Sequence, residues 1–441
     1  MWSDQSSNRL DYHFRRHYDW RVSQGGIADV GTVVAKRPSA IRATITSPLY
    51  RGGVIALFLS GLGTSAAAPQ ITLFLISQLH VPLESAGLYY LTNLTAPIAG
   101  FLIGARSDRT GKRLGLFRLC ALAGAIGWAL IALANQAWMP FLISAVVLAF
   151  SGAASSQLFT AIHDDLQATK NPGADGVVSI VRMALTAGWI VGPTLGFYIA
   201  TAFGARAMFV ATAIFTLAQI IPLGFRRTAA PAPEVVGSDL SAVESEHVLR
   251  TRGFRIMLPL LAFTALYALV YAGEPIKYGY LPIYMHDDLH LPAVLSGAII
   301  GIQPFIELAL MPVAVIVARR IGILNLMVVG ALCAVGANLC FAFAGNAIGL
   351  FGGQVLTGAV WGVFAGLGIV IAQRLLSPAV ATASAIFMSS TAVASALGGV
   401  TGSFGVAGLG LPLVFLAPAF FALIATVGLF IMGRRRRELN T

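Results

Sequence analysis

Charge is scarce in this chain. Only 11% of its 441 residues are Asp, Glu, Lys or Arg, whereas a soluble domain carries about 25%. A soluble fold of this length could not cover its surface with so few charges, and that class is excluded. Lysine is nearly absent, confined to Lys36, Lys112, Lys170 and Lys277. Arginine in its place, with abundant Ala and Gly, is the composition of a GC-rich bacterial genome. Cysteine is reduced to Cys120, Cys333 and Cys340, each alone inside an apolar run. Without paired spacing they offer no metal or redox motif and read as packing residues. The seven histidines show no ligand spacing either, so no metal and no cofactor is expected. The first fifty residues lack an apolar core followed by a small-residue cleavage site, and no secretory signal peptide is expected.

What the chain has instead is apolar length. Hydrophobic residues make up 57% of it, with a mean hydropathy of +0.80. Stretches of roughly 18 or more apolar residues read as membrane spans, and they predict twelve helices. These start near residues 50, 84, 114, 138, 177, 205, 256, 292, 323, 346, 379 and 411. The longest internal polar break, "FRRTAAPAPEVVGSDLSAVESEHVLRTRGFR", reads as a solvated linker between two six-helix halves. The expected organisation is a tail over 1–49, halves over 50–225 and 256–433, a linker over 226–255 and a basic tail over 434–441.

The cations predict orientation. All of the 29 basic residues except Arg182, Arg206 and Lys277 fall on the side of the termini and the linker. By the positive-inside rule that side is cytoplasmic. The net charge of +11 is thereby explained as topology, and no nucleic-acid partner is expected. The halves also repeat. "DRTGKRL" from Asp108 aligns with "RRIGILN" from Arg319, and "VGPTLG" from Val191 with "LGGVTG" from Leu397, at nearly the same offset. Parallel six-helix repeats put a substrate site near the midplane, between the halves.

Between the second and third helices, "GARSDRTGKR" has the spacing G-x-x-x-D-R-x-G-K-R. A short loop between antiparallel helices needs one glycine for close approach and another for the turn. Its carboxylate, Asp108, can tie cations and helix ends together. The pattern resembles the signature loop of the major facilitator superfamily, with Gly104, Asp108, Arg109, Gly111, Lys112 and Arg113 at the family positions. The resemblance implies a cytoplasmic latch whose Asp and Arg engage neighbouring helices in one state only. The second half has Arg319 where Asp108 stands, so the latch would be lopsided.

In helix 5, Gly188, Gly192 and Gly196 recur every fourth residue beside Pro193. Such a stripe lets membrane helices approach closely, and the proline bends the helix. "GWIVGPTLGF" resembles the helix-5 signature of drug–proton antiporters, with Phe197 in place of its last glycine. That resemblance implies export. Arg182, Thr186, Trp189 and Pro193 lie within about 60° on the neighbouring face. Arg182 has two readings: a cavity cation, or an interfacial residue that snorkels or pairs with Asp164 and Asp165. Its second-half counterpart is Met388, so duplication does not account for it.

Short matches narrow the resemblance: "RMALTAGWIVGP", "SAAAPQITLFL" in helix 1, "SSQLFTAIHDD" in helix 4 and "GIQPFIELALMP" in helix 8. Together they are similar to the bacterial sugar efflux transporters over roughly residues 50 to 432. What that implies is an all-α membrane protein: twelve transmembrane helices in two six-helix pseudo-repeats, the major facilitator-type fold. Helix 1 has no acid and helix 4 no arginine, so any proton coupling must use other positions than antiporters built on those groups.

Glu274 and Glu307 are the carboxylates deep in predicted helices. A charge at the bilayer centre costs ~2.5–3.5 kcal/mol on insertion scales, so such residues are usually functional. Glu307, between Pro304 and Pro312, reads as a proton carrier or as a structural hydrogen-bond partner. Glu274 shares a helix-7 face with Lys277, amid Tyr267, Tyr271, Tyr278 and Tyr280. Tyrosines beside a charged pair suit a sugar, while an interfacial aromatic belt is the other reading. Gln70, Asn93, Gln157, Gln303 and Gln373 are further polar candidates for a cavity, and Glu274 a second candidate for proton coupling.

The expected function is export of sugars or related small polar solutes by alternating access, as proton-coupled antiport across the bacterial inner membrane, by a monomer. A multidrug antiporter is the alternative within transport, and a non-transporting sensor of the same fold the alternative outside it. No nucleophile–base pair at membrane depth points to an enzyme.

Overall fold

The computed structural model describes residues 40–169, 174–224 and 256–438. The stretch 1–39, Lys170 and the expected linker lie outside the described residues. Among these residues twelve helical spans are long and apolar enough to cross a bilayer. The first six are α1 Pro48–Ser77, α2 Leu83–Thr110, α3 Arg113–Ala132, α4 Trp138–Ala168, α5 Ala174–Phe203 and α6 Ala205–Leu223. The second six are α7 Leu258–Asp288, α8 Ala293–Ile321, α9 Ile323–Phe343, α10 Ala347–Leu375, α11 Thr382–Leu409 and α12 Leu413–Arg434. A short helix, Ala40–Thr46, precedes α1, within the stretch expected to be tail.

Local sequence explains the departures from regular helix. Pro69 interrupts α1, so that Pro48–Ala67 and Gln70–Ser77 are separate helical pieces. In α2 a 3-10 segment, Gly87–Thr95, precedes the α-helix Ala96–Thr110, whose first turn carries Pro97.

The halves repeat in their packing as well as in their sequence. In the first half α1 packs on α5 and α6, α3 on α4 and α6, and α2 on α4. In the second, α7 packs on α11 and α12, α9 on α10 and α12, and α8 on α10. The most extensive crossings between halves, α5 on α8 and α2 on α11, obey the same pairing. At the two matched turns, Gly111 and Gly322 both have positive φ, 62° and 88°, a conformation that favours glycine.

Hydrophobic cores are distributed unevenly along the bilayer normal. At the end bearing the 2–3 loop, one core draws on the first half alone, around Phe117, Leu158 and Val181. Another draws on the second half alone, around Phe263, Met327 and Phe364. At the opposite end a core built on Tyr280, Ile299 and Phe341 takes in Phe197 and packs against Leu73 and Ile76 of the first half. The halves are therefore joined at one end and separate at the other.

Candidate functional site

Where the halves separate, a cavity of about 730 Å3 opens between them. Its walls come from both halves: Arg182, Thr186 and Trp189 of α5 face Gln303, Glu307 and Met311 of α8. Helix α5 presents these residues because its neighbouring face is committed. Gly188, Gly192 and Gly196 are buried on α1, where a Cβ at Gly192 would strike Ser65 Oγ and the Leu62 carbonyl. Ser65 Oγ also donates to the Gly188 carbonyl at 3.1 Å. Of the four residues expected on the other face, Arg182, Thr186 and Trp189 line the cavity, while Pro193 is buried.

The second-half wall holds a connected polar network. Lys277 Nζ donates to Glu274 Oε1 and Oε2 at 2.9 and 2.8 Å, and also to Gln303 Oε1. Trp361 Nε1 donates to Glu274 Oε1 at 2.7 Å. Lys277 is 3% exposed, so the pair is withdrawn from the cavity on the lysine side while Glu274 lines it. Three acceptors surround the buried amine, which fixes its position. Aromatic rings frame this network. Tyr271 and Trp361 meet edge-to-face at 5.2 Å, and Lys277 lies 4.4 Å from the Tyr278 ring centre. Tyr278 in turn meets Trp189 of the other half at 6.4 Å.

Glu307 differs from Glu274. It lines the cavity, yet among the described residues no hydrogen bond or ion pair engages its carboxylate. The charges that act on it are Glu274, Lys277 and Arg182. Arg182 lies in the cavity wall rather than at the interface. Its alternative partners are already engaged: Asp164 receives Arg113 Nε at 3.1 Å, and Asp165 receives the Tyr50 hydroxyl at 2.6 Å.

Of the residues singled out from the sequence, Asn93, Arg182, Trp189, Tyr271, Glu274, Gln303 and Glu307 line the cavity, with Lys277 directly behind. Gln70, Gln157 and Gln373 do not line it. Gln70 is buried in α1, Gln157 accepts a hydrogen bond from Ser107, and Gln373 donates to Ser384 at 3.0 Å. Asn93 donates to Ser395 of the other half at 2.7 Å. The tyrosines of α7 do not form a belt. Tyr267 and Tyr280 are buried in separate cores, while Tyr271 and Tyr278 line the cavity. Trp361 escaped the sequence reading, although its position as the sole tryptophan after residue 189 was a usable signal.

At the 2–3 loop, Arg113 is the hub. Its Nη1 donates to Asp108 at 2.6 Å and to Ser107 at 2.7 Å, and its Nε reaches Asp164. Arg109 and Lys112 are exposed. Gly111 supplies the turn, but Gly104 corrects an expectation. No atom lies within 4 Å of where its Cβ would stand, so no close helix approach requires glycine there in this conformation.

Residues 53–378 match the sequence profile of the Major Facilitator Superfamily. The chain belongs to that superfamily. Among relatives, it is 27% identical over 361 residues to Sugar efflux transporter A of Escherichia coli (strain K12), covering 80% of this chain and 88% of that one. It is 24% identical over 363 residues to Sugar efflux transporter A of Dickeya chrysanthemi, covering 82% and 89%. A crystal structure of the nucleoside transporter NupG superposes with a TM-score of 0.71 at 17% identity, covering 88% of this chain and 98% of that one. This superfamily member is thus a multi-pass membrane protein and a secondary transporter, not an enzyme.

Proposed function

We propose that the protein exports sugars or related small polar solutes by alternating access, in exchange for protons, across the bacterial inner membrane. The observation that carries this reading is the chemistry of the cavity wall. Its aromatic residues, among them Tyr90, Trp128, Trp189, Tyr271, Tyr278 and Trp361, are all tyrosine or tryptophan. Each offers a ring face, and each but Trp361, whose N–H is held by Glu274, a hydrogen-bonding tip as well, which matches a sugar's apolar ring face and hydroxyl rim. The full-length likeness to sugar efflux transporters supports the same class. A multidrug cavity rich in Phe and Met would look different: this lining contains Met311 and no phenylalanine.

The arginine-rich ends face the cytoplasm, so the cavity as described opens inward, ready to load solute for export. Glu307 carries the proton, because it faces the cavity without a fixed partner, whereas Glu274 is held by Lys277 and Trp361. Uptake into inverted membrane vesicles, with and without an imposed pH gradient, tests this against a panel of sugars and drugs. Gradient-driven sugar uptake that is lost in Glu307→Gln is expected. Gradient-driven uptake of drugs but no sugar overturns the substrate class. Full activity in Glu307→Gln overturns the proton role, and no uptake of any compound points to a sensor.

A further inference from the structure

The α5–α8 crossing fixes a register from which the positions of its two charges follow. Gly297 stands against Thr194, and Gly301 against Ile190. Four residues onward along α8 is thus four residues back along α5, as antiparallel helices require. At 1.5 Å per residue this register puts Glu307 level with Ala184, and Arg182 about 3 Å nearer the 2–3 loop end. Both side chains line the same cavity, from opposite halves, and neither has an ion-pair partner among the described residues.

Each helix is locked to its own half. The glycine stripe of α5 lies on α1, and Gly358 and Gly362 of α10 lie against Ile306 and Leu310 of α8. Any rocking of the halves about the Gly297–Thr194 crossing therefore moves Arg182 and Glu307 as parts of two rigid bodies.

We propose that Arg182 and Glu307 form an ion pair across the closed cavity when the halves rock to the outward-facing state, making Arg182 the positioning residue for the proton-carrying Glu307. This rests on the alternating-access reading above. With the inner ends closed, a 3 Å offset lies within the span of an arginine side chain, and the pair is shielded from solvent by Leu185, Leu308 and Met311. A proton arriving at Glu307 from outside removes its charge and releases Arg182, which unlocks the inner end. The other ionisable groups facing Glu307 are Glu274, Lys277, Tyr267, Tyr271 and Tyr278, all on α7. Lys277 is bound to Glu274 and Gln303, which leaves Arg182, among the described residues lining the cavity, as the cation free to change partners.

The test is a distance measurement that needs no substrate. Spin labels go on Asp175→Cys and Arg320→Cys, at the inner ends of α5 and α8, with Cys120, Cys333 and Cys340 replaced by Ala, in lipid nanodiscs. The parent is expected to show a long and a short inner-end distance. Arg182→Gln and Glu307→Gln should each reduce the short population by about fivefold or more, and lowering the pH should reduce it in the parent. The exchange Arg182→Glu with Glu307→Arg should restore it together with a pH response, since the carboxylate, now on α5, still loses its charge on protonation, and Arg182→Lys should keep it. An unchanged short population in either single variant overturns the pair. So does loss in both without restoration in the exchanged variant, given equal monodispersity. Two populations with the expected variant responses, but no sugar uptake in vesicles, would leave the pair standing and sink the sugar reading.

Discussion

Helices α1 and α7 hold the same place in the two halves, yet they carry different chemistry. α1 packs on α5 and α6 as α7 packs on α11 and α12. α7 bears the Glu274–Lys277 pair, whereas α1 has no acid and offers Ser65 to a helix carbonyl. At the 2–3 loop and its second-half counterpart the asymmetry reverses. Arg113 gathers Asp108 and Asp164 in the first half, while the matching turn of the second carries an exposed Arg319. Duplication has kept the small-residue packing that sets helix spacing and let the charges diverge, so scaffold is shared and chemistry is local.

That contrast can be broken at several points. The largest effect should come from Lys277→Met, which leaves Glu274 without its counter-charge. About 3–5 kcal/mol of stability should be lost, visible as a fall in the unfolding midpoint in detergent, with partial recovery when Glu274→Gln is added. Next, Gly192→Leu and its repeat counterpart Gly398→Leu should be equally damaging, by about 3 kcal/mol each, because one drives a side chain into α1 and the other into Ala272 and Pro275 of α7. A large difference between them by the same thermal measurement would mean that the scaffold is not shared. Trp361→Phe keeps a ring but removes the donor to Glu274. A loss of about 1.5–3 kcal/mol of stability should appear as a lowered unfolding midpoint in detergent. Smallest is Asp108→Asn. The Asp108 carboxylate is 73% exposed, and such a pair contributes at most about 1 kcal/mol, so thermal stability should barely move.

The spans were legible because a bilayer demands some 20 apolar residues per helix, whatever surrounds it. The expected starts near 50, 114, 138 and 205 fall within two residues of Pro48, Arg113, Trp138 and Ala205. Cavity membership was less legible, for a physical reason. Polarity at membrane depth states that a side chain needs a partner, not what the partner is. Gln157 found Ser107 and Gln373 found Ser384, where a solute had been expected. Arg182 and Glu307 share a cavity only because α5 and α8 cross at one register, and that register depends on glycines of α8 meeting the backbone of α5. Trp361 stayed hidden because a tryptophan in an apolar run looks like packing until its N–H is seen on Glu274.

The crossing itself has a consequence for speed. Gly297 and Gly301 meet backbone atoms of α5, not interlocked side chains. At these two positions turning requires no side chain to climb out of its rotamer well. Friction then arises beside them, where Phe197, one helical turn from Thr194, sits in a core with Ile299 and Ile300 of the other half. Turnover should accordingly respond to trimming that seam far more than to any polar change at the pivot.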